Sequence, residues 1–229
     1  MDDIYAQLER RALSLLQKLH QRSSDARAII ILAGPPGSGK STIASQVVHR
    51  INARHQTPIA KVLPMDGYHY SRSHLDSLPN HVEAHARRGA HWTFDGQAVV
   101  DMAKQLHASR ESPFTTLYMP SFDHEIKDPI PDAIEISPDV KIVLVEGSWL
   151  LYNGQPWNQI VNYADDTWFV DVEPQLALQR VAKRHVACGI EGTLETAMDR
   201  ARNNDMKNGE EIRGCLIQPN ITVESVEDQ

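Results

Sequence analysis

The chain has 229 residues, of which 41% are hydrophobic and 23% charged, and its formal net charge is -7. This composition is ordinary for a soluble globular protein with one sizeable core. An acidic protein is a poor general binder of nucleic acid, and the chain has no run of about 18 apolar residues that could span a membrane. We therefore expect neither nucleic acid nor a membrane as a partner.

The two cysteines, Cys188 and Cys215, do not have the spacing of a metal site. A reduced compartment fits this usage, and we expect both side chains to be buried packing residues. The chain begins with Met1-Asp2-Asp3, where a targeting peptide would need positive charge, so the expected location is the cytoplasm.

The N-terminal part of the chain predicts a helix, a strand and a second helix. Residues 3–22 have the apolar spacing of an amphipathic helix that packs against the domain. After a polar break at 23–25, residues 28–33 are an aliphatic run that predicts a buried strand. Apolar residues at helical spacing from Ile43 to Ile51 predict the helix that follows.

Between this strand and this helix lies the pattern Gly-x-x-x-x-Gly-Lys-Ser. The backbone N–H groups of such a loop, with the start of the helix, are typical of a cradle for phosphates. Lys40 would supply a cation to the outer phosphates, and the Ser41 hydroxyl would contact Mg²⁺. A glycine-rich turn without a ligand is the alternative, but every fixed position of the motif is filled. We predict a nucleoside-triphosphate site, for ATP, formed by Gly34, Pro35, Pro36, Gly37, Ser38, Gly39, Lys40, Ser41 and Thr42.

Two acidic residues directly follow predicted strands. Residues 59–65 lead into Asp66, and residues 141–145 lead into Glu146. Ligands of open parallel sheets bind at the carboxyl ends of the strands, so both acids are expected near the phosphates. Glu146 has the position of an acid that holds Mg²⁺, with a solvated acid at the strand end as the alternative. For Asp66, an ordinary turn aspartate in Asp-Gly is an equal alternative.

The middle of the chain is less regular. Five histidines lie between residues 69 and 91 without metal-site spacing, which favours solvated or substrate-facing roles over a metal cluster. Arg88, next to Arg87, is expected to face an anionic or polar substrate or simply water. Asp95 is expected to cap a helix at 96–108. A short strand is predicted at 114–119, followed by an acidic connection interrupted by prolines up to residue 138.

The last third predicts a strand at 166–172 and then a helix that Pro174 opens and Gly189 ends. This helix carries Arg180, Lys183 and Arg184, which suggests a lid over the triphosphate at about 180–205, with a solvated helix face as the alternative. A further helix is predicted at about 194–206 and an edge strand within 214–226. We treat residues 1–229 as a single domain.

The order of these motifs resembles the phosphoribulokinase/uridine kinase/pantothenate kinase-like family of P-loop small-molecule kinases, from about residue 27 to 208. The residues that carry the likeness, besides the P-loop, are Met65-Asp66-Gly67-Tyr68, Phe122-Asp123-His124 with Asp128, Val145-Glu146-Gly147 and Arg180-x-x-x-Arg184-His185. The chain is most similar to the fructose-transport-associated (uridine-kinase-like) branch, through Arg88-Gly89-Ala90, Thr93-Phe94-Asp95, Asn204-Asp205 and Asn208-Gly209. The family implies an α/β fold with a P-loop NTPase-type parallel sheet of about five strands, helices on both faces and a small helical lid.

The resemblance also implies roles. Asp66 matches the acid that accepts a proton from the substrate hydroxyl, and Glu146 matches an acid associated with Mg²⁺ and sometimes with substrate. Arg180 and Arg184 resemble lid arginines that contact the phosphates. The expected acceptor-binding residues are Asp66, Tyr68, His69, Arg88, His124 and Glu146.

Two positions depart from the named substrates of the family. Counting back from Phe94-Asp95, Gly89 stands near the place where uridine kinases carry an Asp that grips ribose hydroxyls, and the pantothenate kinase pattern around His124 is incomplete. The expected reaction is transfer of the γ-phosphate of Mg·ATP to a hydroxyl of a small polar metabolite, such as a sugar, a sugar acid or a pantothenate-like compound. A nucleoside or riboside kinase and a non-enzymatic nucleotide-binding module are the alternatives, and a homodimer is left open. A GTPase is disfavoured because the chain has neither Asn-Lys-x-Asp nor Asp-x-x-Gly.

Overall fold

The computed structural model of the protein describes residues 1–23, 25–111, 115–123 and 125–227. The strands within these residues are β1 (Ala28–Ala33), β2 (Ala60–Pro64), β3 (Leu117–Asp123), β4 (Asp128–Ile136), β5 (Ile142–Gly147), β6 (Asp166–Val172) and β7 (Ile221–Ser225). The α-helices are α1 (Asp2–His20), α2 (Lys40–Asn52), α3 (Arg72–Ser77), α4 (His81–Ala86), α5 (Gly96–Ala108), α6 (Pro174–Ala187), α7 (Leu194–Asn203) and α8 (Asp205–Gly214). Short 3-10 helices lie at Met65–Tyr68, His91–Thr93, Ser109–Glu111 and Trp157–Tyr163.

Five parallel strands form the central sheet in the order β2-β5-β1-β6-β7. Every residue of β1 and β5 is buried, which explains why both strands read as unbroken aliphatic runs rather than as alternating ones. The predicted α/β fold with about five parallel strands is confirmed. The register pairs Ala33 of β1 with Gly147 of β5, so the carboxyl ends of the strands lie side by side.

Apolar layers cover both faces of the sheet. Ile30 and Leu32 point to one layer, where they pack with α1, α2 and the fully buried Trp168. Ile29 and Ile31 point to the other layer, which contains α5 and the fully buried tryptophans Trp149 and Trp157. A smaller cluster lies between α6 and α7, around Leu178, Val181 and Ala201. The alternation along β1 therefore divides the core into two separate halves.

The predicted connection up to residue 138 is wrong, because β3 and β4 form an antiparallel hairpin there. β3 runs from Leu117 to Asp123 instead of 114–119, and Phe114 lies outside the described residues. Pro129 and Pro131 lie within β4, most of which is exposed or half-buried, so the strand lacks the apolar alternation that would reveal it.

Two further predictions need correction. The helix predicted at about 194–206 is two helices, because the chain turns at Asn204 (φ -123°, ψ -67°) before α8 begins. Cys188 and Cys215 are exposed free thiols rather than buried packing residues. The other predicted helices and strands are found with boundaries that shift by a few residues, and Asp95 accepts a hydrogen bond from the Ala98 amide at the start of α5. None of the helices within the described ranges combines the length and apolarity needed to cross a bilayer.

Candidate active site

The P-loop connects β1 to α2 at the carboxyl edge of the sheet. Gly37 and Gly39 both have φ of +80°, a conformation that only glycine adopts without strain, and Gly39 is the residue before the first turn of α2. No side chain within the described ranges caps this turn, so its amides remain available to an anion. The loop from Gly34 to Thr42 thus has the backbone geometry of a phosphate cradle.

Lys40 and Ser41 meet Glu146 next to this cradle. Glu146 lies between Leu32 of β1 and Pro64 of β2 in the sheet register, and it is 6% exposed. The Ser41 hydroxyl donates a hydrogen bond to Glu146 Oε1 at 3.1 Å, whereas Oε2 is buried without a hydrogen-bond partner among the residues that the structure describes. The second oxygen is therefore left for a ligand.

Lys40, Glu146 and Asp66 are charged groups that the fold holds partly out of water. Burial lowers the pKa of Lys40, and the nearby negative charges of Glu146 and Asp66 oppose this shift. Burial raises the pKa of Glu146, and the charge of Lys40 opposes that shift in turn. The site holds a cation and two carboxylates in partial desolvation, which makes each interaction with a charged ligand stronger than it would be in water.

Asp66 follows β2 in the 3-10 helix Met65–Tyr68. Its carboxylate is half-buried and accepts no hydrogen bond from the described residues, and its charge acts on both Lys40 and Glu146. The turn is fixed by the close approach of Gly67 to β3, where an added Cβ would lie 2.3 Å from the Pro120 carbonyl oxygen. Asp66 is thus held beside the phosphate cradle with a free carboxylate.

A cavity of about 330 Å³ opens beside the P-loop. It is lined by residues of the P-loop and of the start of α2, and by Arg180 and Arg184 of α6. Arg180 donates hydrogen bonds to the Gly37 carbonyl at 3.3 Å, to Ser225 Oγ at 2.8 Å and to the Val226 carbonyl at 2.8 Å. The charge of Arg184 acts on Lys40 and Glu146. Both predicted arginines therefore line the cavity beside the P-loop, and their contact with a nucleotide stays a prediction.

Of the residues predicted to bind the acceptor, Tyr68 needs correction. Its ring is 8% exposed within the apolar layer around α5, and its hydroxyl contacts Met119 Sδ at 3.6 Å. Because this burial removes the phenol from the surface of the site, we assign Tyr68 to the core. His69 lies next to Asp66, with its ring against Phe94 at 3.9 Å between centroids. His124 lies outside the described residues.

Arg88 is engaged by the protein itself. Its guanidinium donates to the carbonyls of Lys127 at 2.7 Å and Tyr70 at 3.0 Å, pairs with Asp128 at 3.2 Å and lies over the Phe122 ring. These contacts fasten the β3–β4 hairpin to the turn after α4. Arg88 therefore holds the hairpin in place, and its contact with substrate stays a prediction.

Sequence reasoning overlooked Asp205. This carboxylate lies at the start of α8, 3.7 Å from His185, and its charge acts on Lys40. Burial raises the pKa of Asp205, and the charges of His185 and Arg184 oppose the shift. The pair Asn204-Asp205 contributes to the family resemblance, but its sequence alone gives Asp205 no role in the site. In the structure Asn204 Nδ2 donates to the Arg88 carbonyl, so the segments that carried that resemblance form one junction.

Comparison with protein families matches residues 29–209 to the family described as "Phosphoribulokinase / Uridine kinase family". A protein of Schizosaccharomyces pombe named "Putative uridine kinase C227.14" is 38% identical over 222 residues, which cover 97% of this chain and 91% of that protein.

Two crystal structures have the same fold. That of YFH7 from Saccharomyces cerevisiae matches with a TM-score of 0.84 and 24% identity, over 95% of this chain and 99% of that chain. A structure from Silicibacter sp. TM1040, described as a "putative fructose transport system kinase", matches with a TM-score of 0.72 and 24% identity, over 91% of this chain and 98% of that chain. The resemblance inferred from the motifs is thereby confirmed. The chain belongs to the phosphoribulokinase/uridine kinase family, and it is a P-loop kinase and a phosphotransferase.

Proposed function

We propose that this kinase transfers the γ-phosphoryl group of ATP, in the presence of Mg²⁺, to a hydroxyl of a small polar metabolite such as a sugar, a sugar acid or a pantothenate-like compound. The observation that carries the proposal is the meeting of Lys40, Ser41, Asp66 and Glu146 at the carboxyl ends of neighbouring strands. Relatives from several yeasts are named ATP-dependent kinases, which supports ATP as the donor.

The residues present fit Mg²⁺. The ion prefers oxygen ligands and usually takes one or two carboxylates, with water and substrate phosphates completing its shell. The Ser41 hydroxyl and the unpaired Oε2 of Glu146 would supply the protein part of such a shell. The described part of the chain contains no cluster of three or more His, Cys, Asp or Glu residues that could hold a metal ion. When bound, Mg²⁺ neutralises charge on the phosphates.

The chain's own residues have separate tasks in this proposal. The P-loop amides and Lys40 bind and orient the phosphates, and Arg184 balances the charge that develops on the transferring group. Arg180 holds the P-loop against the segment after β7 and faces the same phosphates. Asp66 orients the acceptor hydroxyl and takes its proton as the phosphorus–oxygen bond forms.

A nucleoside or riboside acceptor is the second candidate, because the relative from Schizosaccharomyces pombe is named for uridine. The position where a ribose-binding acid is expected carries Gly89 instead, and its carbonyl accepts a hydrogen bond from Trp149 Nε1 at 2.9 Å. A glycine offers no carboxylate to the two hydroxyls of a ribose, so we favour an acceptor other than a nucleoside. The cytoplasmic location remains part of the proposal.

A screen of ADP release tests the function. Purified protein with Mg·ATP is given sugars, sugar acids, pantothenate, nucleosides and ribosides one at a time, and mass spectrometry locates the new phosphate. Turnover that rises with one class of acceptor identifies the substrate. A stable, ATP-binding protein that releases ADP with none of these classes at any concentration would contradict the proposed acceptor chemistry.

Two variants separate the roles of the site. Asp66→Asn keeps the shape of the side chain and should lower kcat by about 10²–10⁴-fold, with little change in ATP affinity, if Asp66 is the general base. Lys40→Ala should weaken ATP binding in calorimetry while the melting temperature shows an intact fold. Equal loss of ATP binding in Asp66→Asn would assign Asp66 to the nucleotide instead.

A further inference from the structure

The cavity beside the P-loop has a wall that phosphate binding does not explain. Met1, directly before α1, and Tyr5, in its first turn, line it together with Ser225 at the end of β7 and Val226 after it. Val226 is 52% exposed. The residues of this wall and those of the P-loop line one cavity of about 330 Å³.

Tyr5 and Met1 are positioned by the body of the protein. They are four residues apart on a helix and so share one face, and both pack against the apolar layer that covers Ile30 and Leu32. Glu9, one turn further along α1, is 1% exposed and forms ion pairs with Arg50 and Arg54 near the end of α2.

A second contact fixes the middle of α1 on the sheet. Arg11 pairs with Asp166 of β6 through two hydrogen bonds, at 2.5 and 2.9 Å. Together with the ion pairs of Glu9, this contact makes the first turn of α1 a fixed wall of the cavity rather than a loose end over it.

We place the acceptor elsewhere, because Asp66 and His69, which are expected to bind it, do not belong to the described residues that line this cavity. What fills the cavity beyond the phosphates is therefore the remainder of the nucleotide.

We propose that the base of the nucleotide packs on the wall formed by Met1 and Tyr5, and that Tyr5 of the N-terminal helix is an affinity-determining residue for the nucleotide. This inference rests on the proposed use of ATP. The base is the part of a nucleotide with flat apolar faces, and an aromatic ring, a thioether and a valine side chain offer surfaces that match it. Arg180, held in place by Ser225 and the Val226 carbonyl, lines the same cavity.

The test compares ATP with inorganic triphosphate, which carries the phosphates but no base. Calorimetry on the full chain in one magnesium-containing buffer measures both ligands for the wild type, Tyr5→Ala and Lys40→Ala. Tyr5→Ala should weaken ATP binding by roughly 5- to 100-fold, the range expected for loss of one base–aromatic contact, and leave triphosphate binding within about twofold. Lys40→Ala should weaken the binding of both ligands.

Ile4→Ala is the matched control. Ile4 is the neighbour of Tyr5 on α1 and packs on the same apolar layer, but it is not among the residues that line the cavity. This variant should lower stability without changing the ratio of the two affinities. Tyr5→Leu keeps an apolar side chain of similar bulk for helix packing, and it replaces Tyr5→Ala if the melting temperature shows that the alanine variant is unfolded.

Each result has one meaning. An ATP affinity of Tyr5→Ala equal to that of the wild type overturns the inference, and so does an equal loss for ATP and triphosphate, which would show that Tyr5 acts through the phosphate cradle or the fold. A wild type that binds triphosphate but gains nothing from the nucleoside part of ATP also overturns it. A wild type that binds neither ligand contradicts the proposed function itself.

Discussion

Gly67→Ala should disable catalysis without touching any group that reacts. A Cβ at this position would lie 2.3 Å from the Pro120 carbonyl oxygen and 2.6 Å from the Pro120 carbonyl carbon, and both are backbone atoms of β3. Ordinary van der Waals contact begins at about 3.4 Å. The turn that carries Asp66 therefore has to move away from the hairpin by about 1 Å.

A displacement of about 1 Å in a group that must meet a hydroxyl is enough to lower kcat by roughly 10²-fold. The overpacking itself should reduce the free energy of unfolding by about 1–3 kcal/mol. The affinity for ATP should stay within about twofold, because the P-loop lies on β1 and α2 and not on this turn. The measurements are ADP release with the acceptor found in the screen, calorimetry with ATP, and a urea titration.

Gly192→Ala provides the same chemical change in open space, since an added Cβ there meets no atom within 4 Å. This control should keep kcat, ATP affinity and stability close to those of the wild type. A folded Gly67→Ala enzyme with wild-type kcat would refute the reasoning that the approach of this turn to β3 positions the general base.

Three other predictions follow from single contacts. Because burial raises the pKa of Glu146 above its usual value near 4.5, the folded state binds that proton more readily than the unfolded chain, and stability falls as the pH rises through the interval between the two values. The change in melting temperature of the ligand-free protein caused by Glu146→Gln should therefore be more favourable at alkaline pH than at about pH 4; a change that does not depend on pH would contradict this. Arg88→Ala should speed hydrogen exchange in the β3–β4 hairpin near Asp128, because the carbonyls and the carboxylate that Arg88 holds lose their donor, and unchanged exchange would remove its proposed fastening role. Cys188 and Cys215 should both react with a thiol reagent in the native protein, and protection of either thiol would oppose the exposure seen in the structure.

The central sheet could be read from the sequence because its strands are buried on both faces. β1 consists of aliphatic residues without interruption. The glycines and Lys40 that follow it form a pattern that is best explained by a phosphate-binding P-loop. The two acids could be assigned to one place for the same reason, since parallel strands end at a common edge. In the structure Pro64, at the end of β2, pairs with Glu146 in the sheet register, so Asp66 and Glu146 lie at neighbouring strand ends.

The rest depends on contacts that local patterns do not encode. β4 contains two prolines and little buried surface, so its sequence does not show the alternation of a strand. It is a strand because it pairs with β3. In α8 the buried residues are Asn208, Gly209 and Ile212, which is too few apolar positions for a helical period. Tyr5 and Val226, near the two ends of the described chain, line one cavity, and only the packing of α1 on the sheet brings them there.

The separation of the core into two layers places natural fluorescent reporters on opposite sides of the sheet. Trp168 lies in the layer with α1 and α2, and its indole N–H donates to Asp166 at 2.8 Å, whereas Trp149 and Trp157 lie in the layer with α5. Indole emission depends on the polarity around each ring, so variants that keep one of these three residues and replace the other tryptophans of the chain, including Trp92, would follow each layer separately during refolding. Time courses that coincide would show that both layers assemble in one cooperative step, and time courses that differ would reveal which side of the sheet forms first.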